Sequence, residues 1–359
     1  MKINKISIKI AAIICIFTLI LSVFSACGVK SQKRDSTAFG STLSAEIYTE
    51  EQAAADELFD IITRTVATAQ NELSCDSEDG GIFILNRDKL LYASDALKSD
   101  LGDAILVATI LGDRVDISTG RAYALWGFGT DSPGVPDSEE LKKAAADKSM
   151  DKIYIAGNSN KITIAPEIEI DMSAFREGIA CDRAYEETKL LEIPYTLTIG
   201  DTFMAYGRHP STDKWTVEIT NPLSDKGEAL AEISVEIKTP ACTIFVSTSG
   251  IHENSFTENG VTYHSKLDPK TGYPVESQLA SVTVVASSGI NANALSDAVF
   301  VNGFKESSLT YLENFGAQAI FVFKDNTYYV TEGLKEDFRL TDSSFTEHTG
   351  ELEFEGFIE

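Results

Sequence analysis

The period of hydrophobic and polar positions changes several times along the 359-residue chain, and each period predicts an element. Over 50–73 apolar residues recur at three- and four-residue spacing, with Ala55, Phe59, Ile62 and Val66 on one stripe, the pattern of an amphipathic helix. Residues 94–111 repeat it with Leu97, Leu101, Ile105 and Ala108. Further helices are predicted over 136–146, in the later part of 171–187 and over 307–314. Alternating or β-branched runs predict strands over 39–48, 195–200, 202–206, 215–219, 230–237, 243–247 and 279–286. Hairpins are expected at Gly157-Asn158-Ser159-Asn160, at Glu258-Asn259-Gly260, and between 319–323 and 327–331.

The densest stretch runs from Tyr263 to Gly303. Asp268-Pro269-Lys270-Thr271-Gly272-Tyr273-Pro274 holds two prolines and a glycine, which forces a reversal or kink. The buried-strand run over 279–286 follows, then a helix with Asn291 as its expected N-cap and Gly303 as its stop. Strands and helices are interspersed without a strict βαβ rhythm, so the fold class is α+β.

The N-terminus has a different composition. Lys2, Lys5 and Lys9 precede an apolar run over 10–24, a charged region and apolar core of secretory length. The run ends in Phe24-Ser25-Ala26-Cys27, which resembles a bacterial lipobox, so Cys27 is the expected lipidated first residue. The expected organisation is a lipoprotein signal peptide over 1–26, a tether over 27–37, one large domain over 38–340 and an acidic tail over 341–359. That organisation places the protein, through its lipid anchor, on the extracytoplasmic face of a bacterial membrane. Lys and Arg number 30 against 55 Asp and Glu, a net charge of −25 that argues against nucleic acid as a partner. Cys75, Cys181 and Cys242 show no metal-type spacing and read as free thiols.

Two features carry candidate chemistry. Asn293 and Asp297 are four residues apart and share a helix face, a spacing that could hold a hard cation such as Mg2+ but by itself is more often a solvated surface. The glycine-flanked aromatics Trp126 and Phe128 can stack on a planar ring or plug a local core.

In order along the chain, several motifs resemble the ApbE-like family of FAD:protein FMN transferases. They are Asp116-Ile117-Ser118-Thr119-Gly120 with the following Leu125-Trp126-Gly127-Phe128-Gly129, the helix entry in 171–184, the strand over 215–222, Thr248-Ser249-Gly250, and the D-P-K-T-G-Y-P signature at 268–274. The resemblance implies an ApbE/T-fold-like domain of mixed sheets packed with helices. It implies Mg2+-dependent transfer of FMN from FAD to a Thr or Ser of an acceptor redox protein, with release of AMP. Flavin contacts are then expected from Asp116, Thr119, Gly120, Trp126, Phe128, Ser249, Gly250, Thr271 and Gly272. Metal ligands fall on Asn293, Asp297 and a backbone carbonyl near Arg176, and catalytic groups on His264, Ser265 and Asp268.

The departures are equally specific. Asn293 and Asp297 replace an Asp/Thr pair, Ser173-Ala174-Phe175-Arg176-Glu177-Gly178 replaces G-G-I-A-K-G, and Gly200-Asp201-Thr202 replaces G-G-N. Ser265 stands at the position of a histidine tied to transfer, followed by Lys266, which can offer charge to a phosphate but is a poor proton shuttle near neutral pH. The alternative expectation is therefore a catalytically impaired flavin- or nucleotide-binding lipoprotein, a carrier or scaffold, or an FAD pyrophosphatase.

Overall fold

A computed structural model describes residues 30–352, except 225, 240 and 253. The first half contains β1 (Ser31–Ala38), β2 (Ser41–Tyr48), α1 (Gln52–Leu73), α2 (Gly81–Asp88), β3 (Leu90–Tyr92), α3 (Asp95–Leu111), α4 (Gly120–Trp126), α5 (Ser138–Asp147), β4 (Ile153–Ile155), β5 (Lys161–Ile164) and α6 (Arg176–Thr188). The second half begins with β6 (Tyr195–Ile199), β7 (Thr202–Tyr206), β8 (Lys214–Thr220), β9 (Ala229–Glu236), β10 (Thr243–Gly250), β11 (Phe256–Glu258) and β12 (Val261–Tyr263). It ends with β13 (Leu279–Ala286), α7 (Gly289–Asn302), α8 (Glu306–Asn314), β14 (Gln318–Phe323), β15 (Thr327–Val330), β16 (Phe338–Leu340) and β17 (Thr346–Glu347).

A nine-stranded sheet in the order β1-β2-β6-β7-β10-β13-β14-β15-β17 forms the middle of the molecule. Its pairings are antiparallel except that of β15 with β17. Both faces are covered, and the period-2 alternation of the strands decides which side chain goes where. Val282, Val284, Ala319 and Phe321 join the helix-side core built with α1, α3, α6 and α7. Val285, Ile320 and Val322 point the other way, into a core shared with Ile219, Leu230 and Ile233 of the small β8-β9-β16 sheet. Burial on both faces explains why β13 is buried along its whole length and why its sequence reads as a continuous apolar run. The α+β fold class is as expected.

The structure departs from the sequence reading in five places. Residues 31–38, expected within the tether, form β1 and pair in full register with β2. Two helices are added to those expected, α2 after Gly80 and α4 before Gly127. Helix α7 starts at Gly289 with Ser288 at its N-cap, so Asn291 lies inside it. At the far end, Phe345 is buried and β17 pairs with β15, so the region beyond 341 is partly built into the fold. The proposed signal peptide and Cys27 lie outside the described residues.

Candidate active site

Helices α6 and α7 cross where Gly178 meets Gly289, so closely that a Cβ on either would run into the backbone of the other. The crossing lets one helix cap the other. The Asp182 carboxylate accepts the backbone N–H groups of Gly289 and Ile290, both at 2.8 Å, and so occupies the positive end of α7. One turn further on, Asn293 Oδ1 accepts the N–H of Gly178. A backbone N–H can only donate, so the oxygen of this amide must face it and the nitrogen must face the other way. That nitrogen donates to Thr202 Oγ1 at 2.9 Å and to Ser247 Oγ at 2.7 Å. Thr202 Oγ1 in turn donates to Glu177 Oε2 at 3.3 Å. Burial pushes the Glu177 carboxyl up to about 7, with Asp201 adding to the effect while Arg176 and Lys266 oppose it.

Residues 268–274 form a bend beside Lys266 and Asp297, against a smaller hollow. Asp268 ties the bend: its carbonyl accepts the Gly272 N–H at 2.8 Å, its carboxylate accepts the Lys270 N–H at 2.9 Å, and its own N–H donates to Tyr273 O at 2.8 Å. Gly272 has φ +74°, which favours glycine, and its carbonyl accepts the indole N–H of Trp126 at 2.8 Å. Trp126 is fully buried within a ring cluster with Phe128, Phe256, Tyr263 and Tyr273.

Against α6 and α7 lies a cleft of about 1140 Å³, beyond the roughly 300–1,000 Å³ of ordinary small-molecule sites. Asp171, Glu177, Asp201 and Asp297 line it, together with the cations Arg176 and Lys266. Lys266 Nζ lies 2.6 Å from Asp297 Oδ1, in an ion pair whose side chains keep only 12% and 10% of their surface exposed. Asp297 Oδ1 also accepts the Ser249 hydroxyl. Arg176 stacks over Phe39, and its buried Nε has no hydrogen-bond partner among the described residues.

The cleft gathers many of the residues expected from sequence. Asn293, Asp297, Arg176, Ser249, Ser265, Gly120 and Phe128 all line it. Others stand elsewhere. Asp116, Thr119, Asp268 and Gly272 line a separate hollow of about 30 Å³, room for about one water, whose wall Lys266 and Asp297 share with the cleft. Asp116 binds Ser118 and Lys148, which makes it a loop organiser. Thr271 accepts the Tyr273 N–H within the bend, and Gly250 is buried at the end of β10. Trp126 holds the bend in place of touching a ligand, because its ring is enclosed by other rings.

His264 is also displaced from the expected chemistry. It packs edge-on against Phe300, and burial, with Lys324 nearby, pushes its imidazole down to about 4, so it is neutral and faces the core. Asp268 is a turn former for the reasons above. Glu177 and Lys266 entered the sequence reading only as departures from a motif. Their importance comes from packing across 31 residues from Lys266 to Asp297 and 25 from Glu177 to Thr202, which no local spacing reveals.

Mg2+ requires a near-octahedral set of oxygen donors. Asn293 Oδ1 is engaged by Gly178, Asp297 Oδ1 by Lys266 and Ser249, and Arg176 opens α6, where its carbonyl joins the helical ladder. Among the described residues no group of three or more His, Cys, Asp or Glu side chains is placed to hold a metal. This donor set does not fit the ion.

Comparison with known proteins places the cleft in context. The model of the ApbE family matches residues 39–321. A protein of Treponema pallidum (strain Nichols) named FAD:protein FMN transferase is 25% identical over 374 residues, covering 96% of this chain and 99% of its own. Another of that name from Haemophilus influenzae is 28% identical over 249 residues, covering 68% of this chain and 70% of its own. In fold, the chain is similar to the crystal structure of the ApbE protein from Thermotoga maritima, with a TM-score of 0.78, 22% identity and coverage of 86% and 99%. It is also similar to the apo form of the Pseudomonas stutzeri flavinyl transferase ApbE, with a TM-score of 0.72, 24% identity and coverage of 86% and 96%.

Proposed function

The chain belongs to the ApbE family, and from that membership we propose that it is a flavin transferase that moves the FMN half of FAD onto a Thr or Ser hydroxyl of an acceptor protein. The observation that carries the reading is the cleft lined by Arg176 and Glu177 of α6 and Asn293 and Asp297 of α7, which lies within the matched residues and is large enough for a dinucleotide.

The acceptor oxygen forms a bond to the FMN-side phosphorus, the bond from that phosphorus to the bridging oxygen breaks, and AMP leaves with that oxygen. Such a transfer depends chiefly on positioning and on neutralising phosphate charge. Arg176 and Lys266 are the cleft cations that meet the pyrophosphate, and the unpartnered Arg176 Nε supports that role. The acceptor hydroxyl proton passes to Glu177, whose carboxyl titrates near neutrality and so can both take and return it. Ser265, on the cleft wall, is placed to hydrogen-bond the substrate but has no ordinary basicity to offer. Phe128 lines the cleft beside Trp126 and offers a surface to the flavin ring. Asn293 Oδ1 and Asp297 Oδ1, at the position expected for Mg2+, are engaged by Gly178 and Lys266.

The lipobox-like ending at Cys27 supports an anchored, extracytoplasmic setting, and hence a membrane or exported redox protein as acceptor. The test incubates the purified chain with FAD, with and without an acceptor bearing the target hydroxyl. A flavin-labelled acceptor with one AMP per label is the expected result. AMP without label would instead make it a pyrophosphatase, and FAD-raised melting temperature with no AMP would make it a binding protein.

A further inference from the structure

We propose that the Lys266 ammonium, held by Asp297, supplies the positive charge at the pyrophosphate that a divalent ion would otherwise bring, so that FAD binds in this cleft without a metal. The inference rests on the flavin-transfer reading above and specifies how that site holds its substrate.

Three observations support it. First, the carboxylate on α7 that would ligate a cation, Asp297, already has a cation 2.6 Å from its Oδ1 in Lys266, and the pair is nearly enclosed. A divalent ion at this carboxylate would have to displace that ammonium or sit beside it, like charge against like charge, in a site largely shielded from water. Second, the companion ligand is committed. Asn293 Oδ1 faces the Gly178 N–H, and both hydrogens of its amide nitrogen are used by Thr202 and Ser247. Turning the amide to serve a metal would oppose donor to donor at Gly178 and break the link to Thr202. Third, the cleft is acid-rich, with Asp76, Glu169, Asp171, Glu177, Asp201 and Asp297 on its walls. An anionic diphosphate needs compensating charge there, and Lys266 stands at the point where the cleft and the hollow behind the bend meet.

Lys266 is fixed to the task by position. It lies two residues before the bend, and its carbonyl accepts the Val275 N–H at 2.9 Å, so the segments entering and leaving the bend hold its backbone. Asp297 then acts as the orienting partner of the ammonium. A lysine presents hydrogen-bond donors and a compact charge that can contact a phosphate oxygen while remaining paired to the carboxylate.

The experiment is FAD binding followed by quenching of flavin fluorescence, on the folded chain after extensive treatment with EDTA and again with added Mg2+. The expected result is a dissociation constant that changes less than about threefold between the two conditions. Lys266→Ala should weaken FAD binding at least about tenfold in EDTA, and Mg2+ should then recover part of the loss, because Asp297 has been released. Lys266→Arg, which keeps the charge, should stay much closer to the parent, and circular dichroism confirms that each variant is folded. Binding by the parent chain that disappears in EDTA and returns with Mg2+ would overturn the proposal and leave the flavin-transfer reading intact. A chain that binds no FAD under either condition would remove both.

Discussion

Gly178 and Gly289 touch through their backbones, and that contact sets the spacing of the two helices whose side chains face the cleft. With no Cβ at either position, Asn293 reaches the Gly178 N–H and Asp182 reaches the first turn of α7. Gly178→Ala or Gly289→Ala must push the helices apart against a packed core. The expected cost is about 1–3 kcal/mol, from the overpacking of a filled interior. Urea denaturation measures it, and FAD affinity should fall in parallel because the Asn293 network is disturbed. Wild-type stability in both variants would show that the close approach is dispensable.

Asp182 and Ser288 separate two ways of starting a helix. Ser288 occupies the N-cap of α7, yet its side chain makes no capping hydrogen bond and its buried Oγ has no partner among the described residues. Asp182, from the neighbouring helix, takes both exposed N–H groups. Asp182→Ala should therefore cost about 1–2 kcal/mol, and Ser288→Ala close to nothing. Equal losses in chemical denaturation would count against the division of labour.

These contacts also show what a single sequence can and cannot reveal. Strand β13 was legible to the residue because both of its faces are buried and turn residues bound it. Strand β1 was not, since an edge strand of polar residues has no apolar period and takes its form from pairing with β2. Helix α7 is buried on every side, so its apolar residues mark no single face, and a cap was sought at Asn291 when the real one comes from Asp182. In the site, the four-residue spacing of Asn293 and Asp297 is legible in the sequence, and both line the cleft, while the bend at 268–274 lines the hollow that Asp297 shares. The partners of those residues, Lys266 and Gly178, are set by tertiary packing, and it is the partners that decide against the metal.

Trp126 and Phe128 divide the work of the glycine-flanked aromatic segment. Trp126 is enclosed and its indole N–H holds the bend through Gly272, whereas Phe128 lines the cleft. Trp126→Phe leaves the Gly272 carbonyl without its donor and should lower stability by about 1–3 kcal/mol, with little change in FAD affinity. Phe128→Ala should show the reverse balance, a larger effect on FAD binding than on the melting temperature. Finding the two effects exchanged between the variants would return Trp126 to the flavin contacts.

Glu177 gives the site its pH dependence, and the direction follows from its raised carboxyl. The group moves from an ordinary 4.5 to about 7 because burial disfavours its charged form. Between those values the folded chain holds a proton that the unfolded chain has lost. The stability linked to this residue is therefore full below about 4.5 and is lost as the pH rises through about 7. Glu177→Gln cannot lose the proton, so its stability should decline less between pH 5 and pH 8, by about 2 kcal/mol relative to the parent. Activity should run the opposite way. Transfer needs the carboxylate form, so AMP release by the parent should rise with pH and level off above about 7, and the glutamine variant should lose roughly 100-fold with no such rise. The two readouts distinguish a proton acceptor from a merely buried acid. A variant that flattens the stability profile but keeps the parent's rate and its pH limb would assign the proton to another group in the cleft, with Asp171 and Asp201 the next carboxylates to test.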